Sequence, residues 1–128
     1  SDSDTANCDR AETYLSTADL WQRIEFHVGQ AQDIFGQTEG LFDICYNDVD
    51  KNAYPEIWKM AKYRIRPGGL YIADNVLWHG RVAIHACPNK VAESTAAIVK
   101  HNQMISNDSD FEVFINPIRD GVLVARKK

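Results

Sequence analysis

Two short segments place oxygen donors directly after apolar runs. In "LFDICYNDVDK", residues 41–51, Asp48, Asp50 and Lys51 follow a run that ends at Tyr46. In "GLYIADN", residues 69–75, Asp74 and Asn75 do the same. Two carboxylates and an amide oxygen are hard donors. Such a set suits Mg²⁺, with Mn²⁺ or Ca²⁺ as the other oxygen-seeking candidates. Neither Cys nor His joins it, which argues against structural zinc. The plainer use of the same residues is capping, since Asp and Asn after a strand often cap the next helix.

Three apolar runs read as strands: "RIEFHV" at 23–28, "LFDICY" at 41–46 and "GLYIAD" at 69–74. They are short and rich in β-branched and aromatic residues, as buried strands are. Between the second and third, "KNAYPEIWKMAKYRI" puts Ile57, Met60, Ala61 and Ile65 on one helical face. Pro55 suits a first turn, and "RPGG" at 66–69 should end the helix. This is a β-α-β unit, so its strands should be parallel neighbours. In an open parallel sheet, ligands bind beyond the carboxyl ends of the strands. Asp48, Asp74 and Asn75 are thereby expected to converge on one point.

Further helices are expected over Arg10–Thr17 and about Glu93–Ser106, the latter with Ala97, Ile98 and Ile105 inward. His101 falls on that seam and reads as a core histidine with satisfied nitrogens. "FEVFI" at 111–115 and "GVLVAR" at 121–126 flank an Asp-Gly turn signal, which predicts an antiparallel hairpin. The loop "HGRVAIHACPNKVAES", 79–94, is long for a compact domain, as lids and other functional loops are.

At 128 residues the chain is long enough for one domain, spanning 1–128. Hydrophobic residues make up 45% and the formal net charge is −4. That charge argues against a nucleic-acid partner, because phosphate binding needs clustered Lys and Arg. The run "ARKK" reads as a solvated tail. No run reaches the ~20 apolar residues of a membrane span. Cys8, Cys45 and Cys87 are odd in number and lack metal spacing, which suits a reduced, cytoplasmic protein. The absence of an initiator Met suggests a fragment or processed form.

"FDICYNDVDKNAY", "RPGGLYIADNVLWHGRV" and "RDGVLVARK" together resemble the metal-dependent O-methyltransferases of the catechol and caffeoyl-coenzyme A type, which use S-adenosylmethionine. The resemblance runs over nearly the whole chain. It implies an α/β fold: a Rossmann-like, mostly parallel sheet with an antiparallel C-terminal hairpin. It implies Asp48, Asp74 and Asn75 as metal ligands, with Asp48 also near the cofactor and the chemistry, and Lys51 as general base. It places Asp50 near the cofactor, Asp2 on the ribose hydroxyls and Ala31 at the adenine. Trp78 and His79 fall beside the acceptor, a hydroxylated aromatic small molecule; Trp78 would equally serve as core packing and His79 as loop lining. Family members are often dimers, so a homo-oligomer is expected. Asn47 stands where the family usually has an apolar residue.

The family's first strand and glycine-rich turn have no counterpart in these residues. Strands next to that missing strand should expose apolar edges, and cofactor binding by residues 1–128 alone should be weak or absent. Two other readings stay open from sequence: a Rossmann-type nucleotide-binding oxidoreductase and a non-catalytic, self-associating fragment.

Overall fold

The computed structural model describes residues 1–84 and 88–128. They form two compact units, Ser1–Glu39 and Gly40–Lys128. Among the described residues, no helix is long and apolar enough to cross a membrane. Cys87 and part of the 79–94 loop lie outside the described residues.

In the first unit, helix α1 spans Thr5–Thr17 and helix α2 spans Ala31–Gln37. α1 begins five residues earlier than its sequence pattern suggests, because Asp4 caps it by accepting the Ala6 N–H at 2.9 Å. The strand expected at 23–28 is not a ladder. Trp21–Arg23 forms a 3₁₀ turn, and the pairing reduces to one parallel bridge between Asp2 and Val28. A strand exists by virtue of its neighbour, and among the described residues only Asp2 comes alongside.

The second unit is built on a four-stranded mixed sheet. Strands β1 (Phe42–Asn47), β2 (Ile65–Ala73), β3 (Phe111–Asn116) and β4 (Val122–Lys127) lie in the order β1-β2-β4-β3. β1 and β2 are parallel, as the β-α-β reading requires; β4 runs antiparallel to both β2 and β3. The expected hairpin is therefore present. Its turn uses positive φ at Arg119 and Gly121.

Helix α3 (Tyr54–Ala61) joins β1 to β2, with Pro55 in its first turn. It buries Tyr54, Ile57, Trp58 and Ala61, one stripe at helical spacing. It stops at Ala61, short of the expected Ile65. "RPGG" lies inside β2 instead, as a bulge: Phe42 pairs with Ile65 and Ile44 with Leu70, leaving four residues of β2 against one of β1. Proline and glycine are tolerated there because a bulge frees the backbone from the ladder. Ile65 is buried all the same, from the strand.

Helix α4 (Ala92–Ser106) buries Thr95, Ile98, His101 and Ile105, while Ala97 is half-buried. In the core, Trp58 packs edge-on against both Tyr71 and Phe111, with ring centroids 4.9 and 4.8 Å apart. Asn47, Tyr71, Ala73, Leu123 and Ala125 are buried on the sheet. Ile44 and Tyr46, on the alternate positions of β1, are 57% and 61% exposed. β1 is an edge among the described residues, and the apolar exposure anticipated from sequence is found there.

Candidate active site

The register of the first two strands sets the site. Asn47 stands opposite Ala73, the last paired rung of the parallel ladder. The Asp74 N–H donates to the Asn47 carbonyl at 3.1 Å, so Asp48 and Asp74 leave the sheet side by side. Beyond them the chains diverge. Asp50 accepts the Asn52 N–H at 3.0 Å and caps a 3₁₀ turn, Lys51–Ala53, that leads into α3. Asn75 takes a positive φ of 54°, a conformation that Asn tolerates better than most residues. Its N–H donates to Asp74 Oδ1 at 2.7 Å.

Lys51 is drawn into this corner. Its Nζ donates to Asp48 Oδ1 and to Tyr54 Oη, both at 2.8 Å. Tyr54 in turn donates to the Asp74 carbonyl at 2.9 Å. Tyr46 reaches the side chain of the same residue from the sheet, donating to Asp74 Oδ2 at 3.1 Å. Burial, then the charges of Asp48 and Asp74, pushes the Tyr54 hydroxyl far above its ordinary range. Burial and the Asp74 bond raise Tyr46 as well. Both carboxylates thus act on the same two hydroxyls. The sequence reading missed both tyrosines, although Tyr46 precedes Asp48 by a strand period and Tyr54 follows Lys51 by one helical step.

The donor chemistry fits a hard divalent cation. Two carboxylates lie together with one ammonium, and the Asn75 amide makes no hydrogen bond among the described residues. No group of three or more His, Cys, Asp and Glu forms among the described residues. An ion here would be held by two carboxylates and an amide, with waters or substrate completing its shell.

Trp78 and His79 follow on the next turn, which the Trp78 N–H closes on the Asn75 carbonyl at 3.1 Å. Residues 120 and 121 hold this segment. Val76 N–H donates to the Gly121 carbonyl and Leu77 N–H to the Asp120 carbonyl, at 3.0 and 2.9 Å. The Asp120 carboxylate accepts the His79 N–H. Trp78 is half-buried, with Nε1 buried and without a partner among the described residues, and the Arg81 guanidinium lies 5.7 Å from its ring centroid. The His79 side chain is exposed.

Asp2 and Ala31 belong to the first unit. Asp2 accepts from the Asp4 N–H and from Asn7 Nδ2, both at 2.9 Å, and these bonds hold its carboxyl below the usual range. The Gly29 N–H donates to the Asp2 carbonyl at 2.9 Å. Asp2 therefore sits beside the turn that leads to Ala31, the first residue of α2.

Comparisons with known proteins bear on the family and the fold. A family model described as O-methyltransferase matches residues 1–128. Tricin synthase 2 of Oryza sativa subsp. japonica is 29% identical over 124 residues, 88% of this chain and 42% of the relative. A probable caffeoyl-CoA O-methyltransferase 1 of Dictyostelium discoideum is 36% identical over 98 residues, 75% of this chain and 41% of the relative. Among solved structures, the O-methyltransferase from Bacillus cereus in complex with SAH superposes with a TM-score of 0.87 at 25% identity, covering 98% of this chain and 60% of that one. The SAM-bound TomG from Streptomyces achromogenes, at 24% identity and a TM-score of 0.84, shares the fold. The chain spans about half the length of the curated relatives it matches. With the family model matched from Ser1 to Lys128, this chain belongs to the O-methyltransferase family.

Proposed function

We propose that these residues form the metal and acceptor side of an S-adenosylmethionine-dependent O-methyltransferase that methylates a hydroxyl of a catechol-like or phenolic small molecule. The observation that carries the reading is the meeting of Asp48, Lys51, Tyr54 and Asp74 at the carboxyl ends of two adjacent parallel strands. Caffeoyl-CoA O-methyltransferases among the relatives support the acceptor class. Because the chain matches about half of those relatives, the activity is proposed for the protein to which these residues belong.

Asp48, Asp74 and Asn75 would hold a divalent ion, Mg²⁺ by preference, whose positive charge would favour an ionised acceptor hydroxyl. S-adenosylmethionine would supply the methyl group; the family resemblance assigns Asp2 to its ribose hydroxyls, Ala31 to its adenine and Asp50 to its neighbourhood. Lys51 is the general base: once its Nζ has released a proton to solvent it takes the acceptor's, and Asp48 Oδ1, 2.8 Å away, stabilises the ammonium so restored. Tyr54 stays protonated and orients Lys51 by accepting from it. Trp78 walls the acceptor and His79 lines its entrance. Fixed positions for these groups lower the barrier by reducing the entropy lost on reaction. We take the working form to be a homodimer, as an extension of the family resemblance.

The reading is tested by transfer of labelled methyl from S-adenosylmethionine to 3,4-dihydroxybenzoate. Transfer should require Mg²⁺, vanish with a chelator and vanish in Asp74→Ala. Transfer that survives both would overturn it.

A further inference from the structure

A directional chain of hydrogen bonds crosses the core of the second unit. Asn102 Nδ2 donates to the Val76 carbonyl at 2.8 Å, which fixes the amide's orientation. Asn102 Oδ1 then faces His101 Nδ1 at 3.0 Å, so Nδ1 must carry the proton. Nε2 of the neutral ring is left as an acceptor, and Tyr71 Oη, 2.9 Å away, donates to it. Tyr71 accepts from Asn47 Nδ2 at 2.9 Å. Asn47, Tyr71 and His101 are all buried, and Asn47 Oδ1 has no partner among the described residues.

The ends of this chain matter. Asn47 immediately precedes Asp48, and Val76 immediately follows Asn75. A third tie runs through Tyr54, whose ring meets His101 edge-on at 5.0 Å and whose hydroxyl donates to the Asp74 carbonyl. A hydrocarbon side chain at 101 would fill the same space without orienting either end.

We infer that His101 is a positioning residue for the oxygen site: one imidazole on α4 sets the spacing between the two chain segments that carry Asp48 and Asp74–Asn75. This rests on the proposed reading of those residues as a cation site. The neutral ring the chain needs is also the form that burial favours, since burial lowers the His101 pKa to about 4.

The test compares His101→Phe, which keeps the ring and removes both nitrogens, with Ile105→Val on the same buried face of α4. Two readouts are taken well below the melting temperature: Mn²⁺ affinity by titration calorimetry, and amide hydrogen exchange at Asp74 and Val76. His101→Phe should weaken Mn²⁺ binding by about tenfold or more, as loss of outer-shell support does elsewhere, while Ile105→Val stays within about twofold of the parent. Exchange at Asp74 and Val76 should quicken in the first variant only. If His101→Phe does not fold, Asn102→Ala cuts the same chain at its half-buried end and should weaken Mn²⁺ binding in the same direction. Parent-like affinity and parent-like exchange in a folded variant overturn the inference. A parent that binds no Mn²⁺ overturns the cation reading instead, and the exchange rates alone then decide the positioning role.

Discussion

The Asp74 amide donates to the Asn47 carbonyl across 3.1 Å, and this bond extends the β1–β2 ladder beyond its last paired residues. It places two acids from distant parts of the sequence at one level of the sheet. Lys51 pairs with Asp48 alone, and a divalent cation between the two acids would bring positive charge to both.

Metal binding should therefore stabilise the fold. At free Mg²⁺ about 100 times its dissociation constant, mass action adds roughly 2.7 kcal/mol to unfolding. Asp48→Asn and Asp74→Asn should each remove that gain. Thermal melts with and without Mg²⁺ measure it; an equal Mg²⁺ shift in parent and variants would show that the ion binds elsewhere.

Tyr54→Phe removes one oxygen that bonds both Lys51 and the Asp74 carbonyl. The expected cost is about 1–2 kcal/mol, the usual range when buried partners are left unpaired. Methyl transfer should fall in kcat more than in KM, because Lys51 loses its orientation. Urea unfolding and steady-state kinetics check the two parts separately.

Gly121 should resist substitution. Its φ is +81°, and an added Cβ would meet Leu77 Cδ1 at 2.9 Å. Gly121→Ala combines left-handed strain with a clash, for a loss of roughly 2–3 kcal/mol. Val76 and Leu77 hang on residues 120–121, so the Trp78 and His79 segment should also loosen. Denaturant midpoints and exchange at the Leu77 amide report both effects.

His101 predicts an acid-sensitive fold. Its folded pKa of about 4 lies below the ordinary 6.5, so the unfolded chain takes up this proton first. The His101 contribution is fully present above pH 6.5, falls as pH drops from there toward 4, and is gone below. The total is about 3 kcal/mol. The ionisable groups facing the ring are Tyr54 and Tyr71, both held neutral by burial. Glu112, held low by its bond from Arg126, begins to lose its contribution as pH falls through the ordinary glutamate range and goes on losing it below that range. His101→Phe should flatten the stability profile between pH 6.5 and 4; an unchanged slope would assign the sensitivity to other groups.

Much of this was readable from local pattern. The crossover helix, the hairpin and the juxtaposition of Asp48 with Asp74 follow from periodicity and from the rule that a β-α-β unit makes parallel neighbours. The helix end was misplaced because Ile65 continues the apolar spacing of α3, although its backbone pairs with Phe42. The strand at 23–28 has the right composition but only one bridging partner. His101 was legible as a satisfied core histidine; its partners were not. Asn47, Tyr71 and Asn102 come from three different elements, and no short-range pattern connects them. Tyr46 and Tyr54 were passed over for a similar reason, since an aromatic residue on a strand or helix face reads first as packing.

The most direct measurement is an anomalous difference map from crystals soaked in MnCl₂. One strong peak is expected, bonded to a carboxylate oxygen of Asp48, a carboxylate oxygen of Asp74 and the amide oxygen of Asn75. Full-occupancy crystals showing no peak there, with those three side chains turned away from one another, would contradict it.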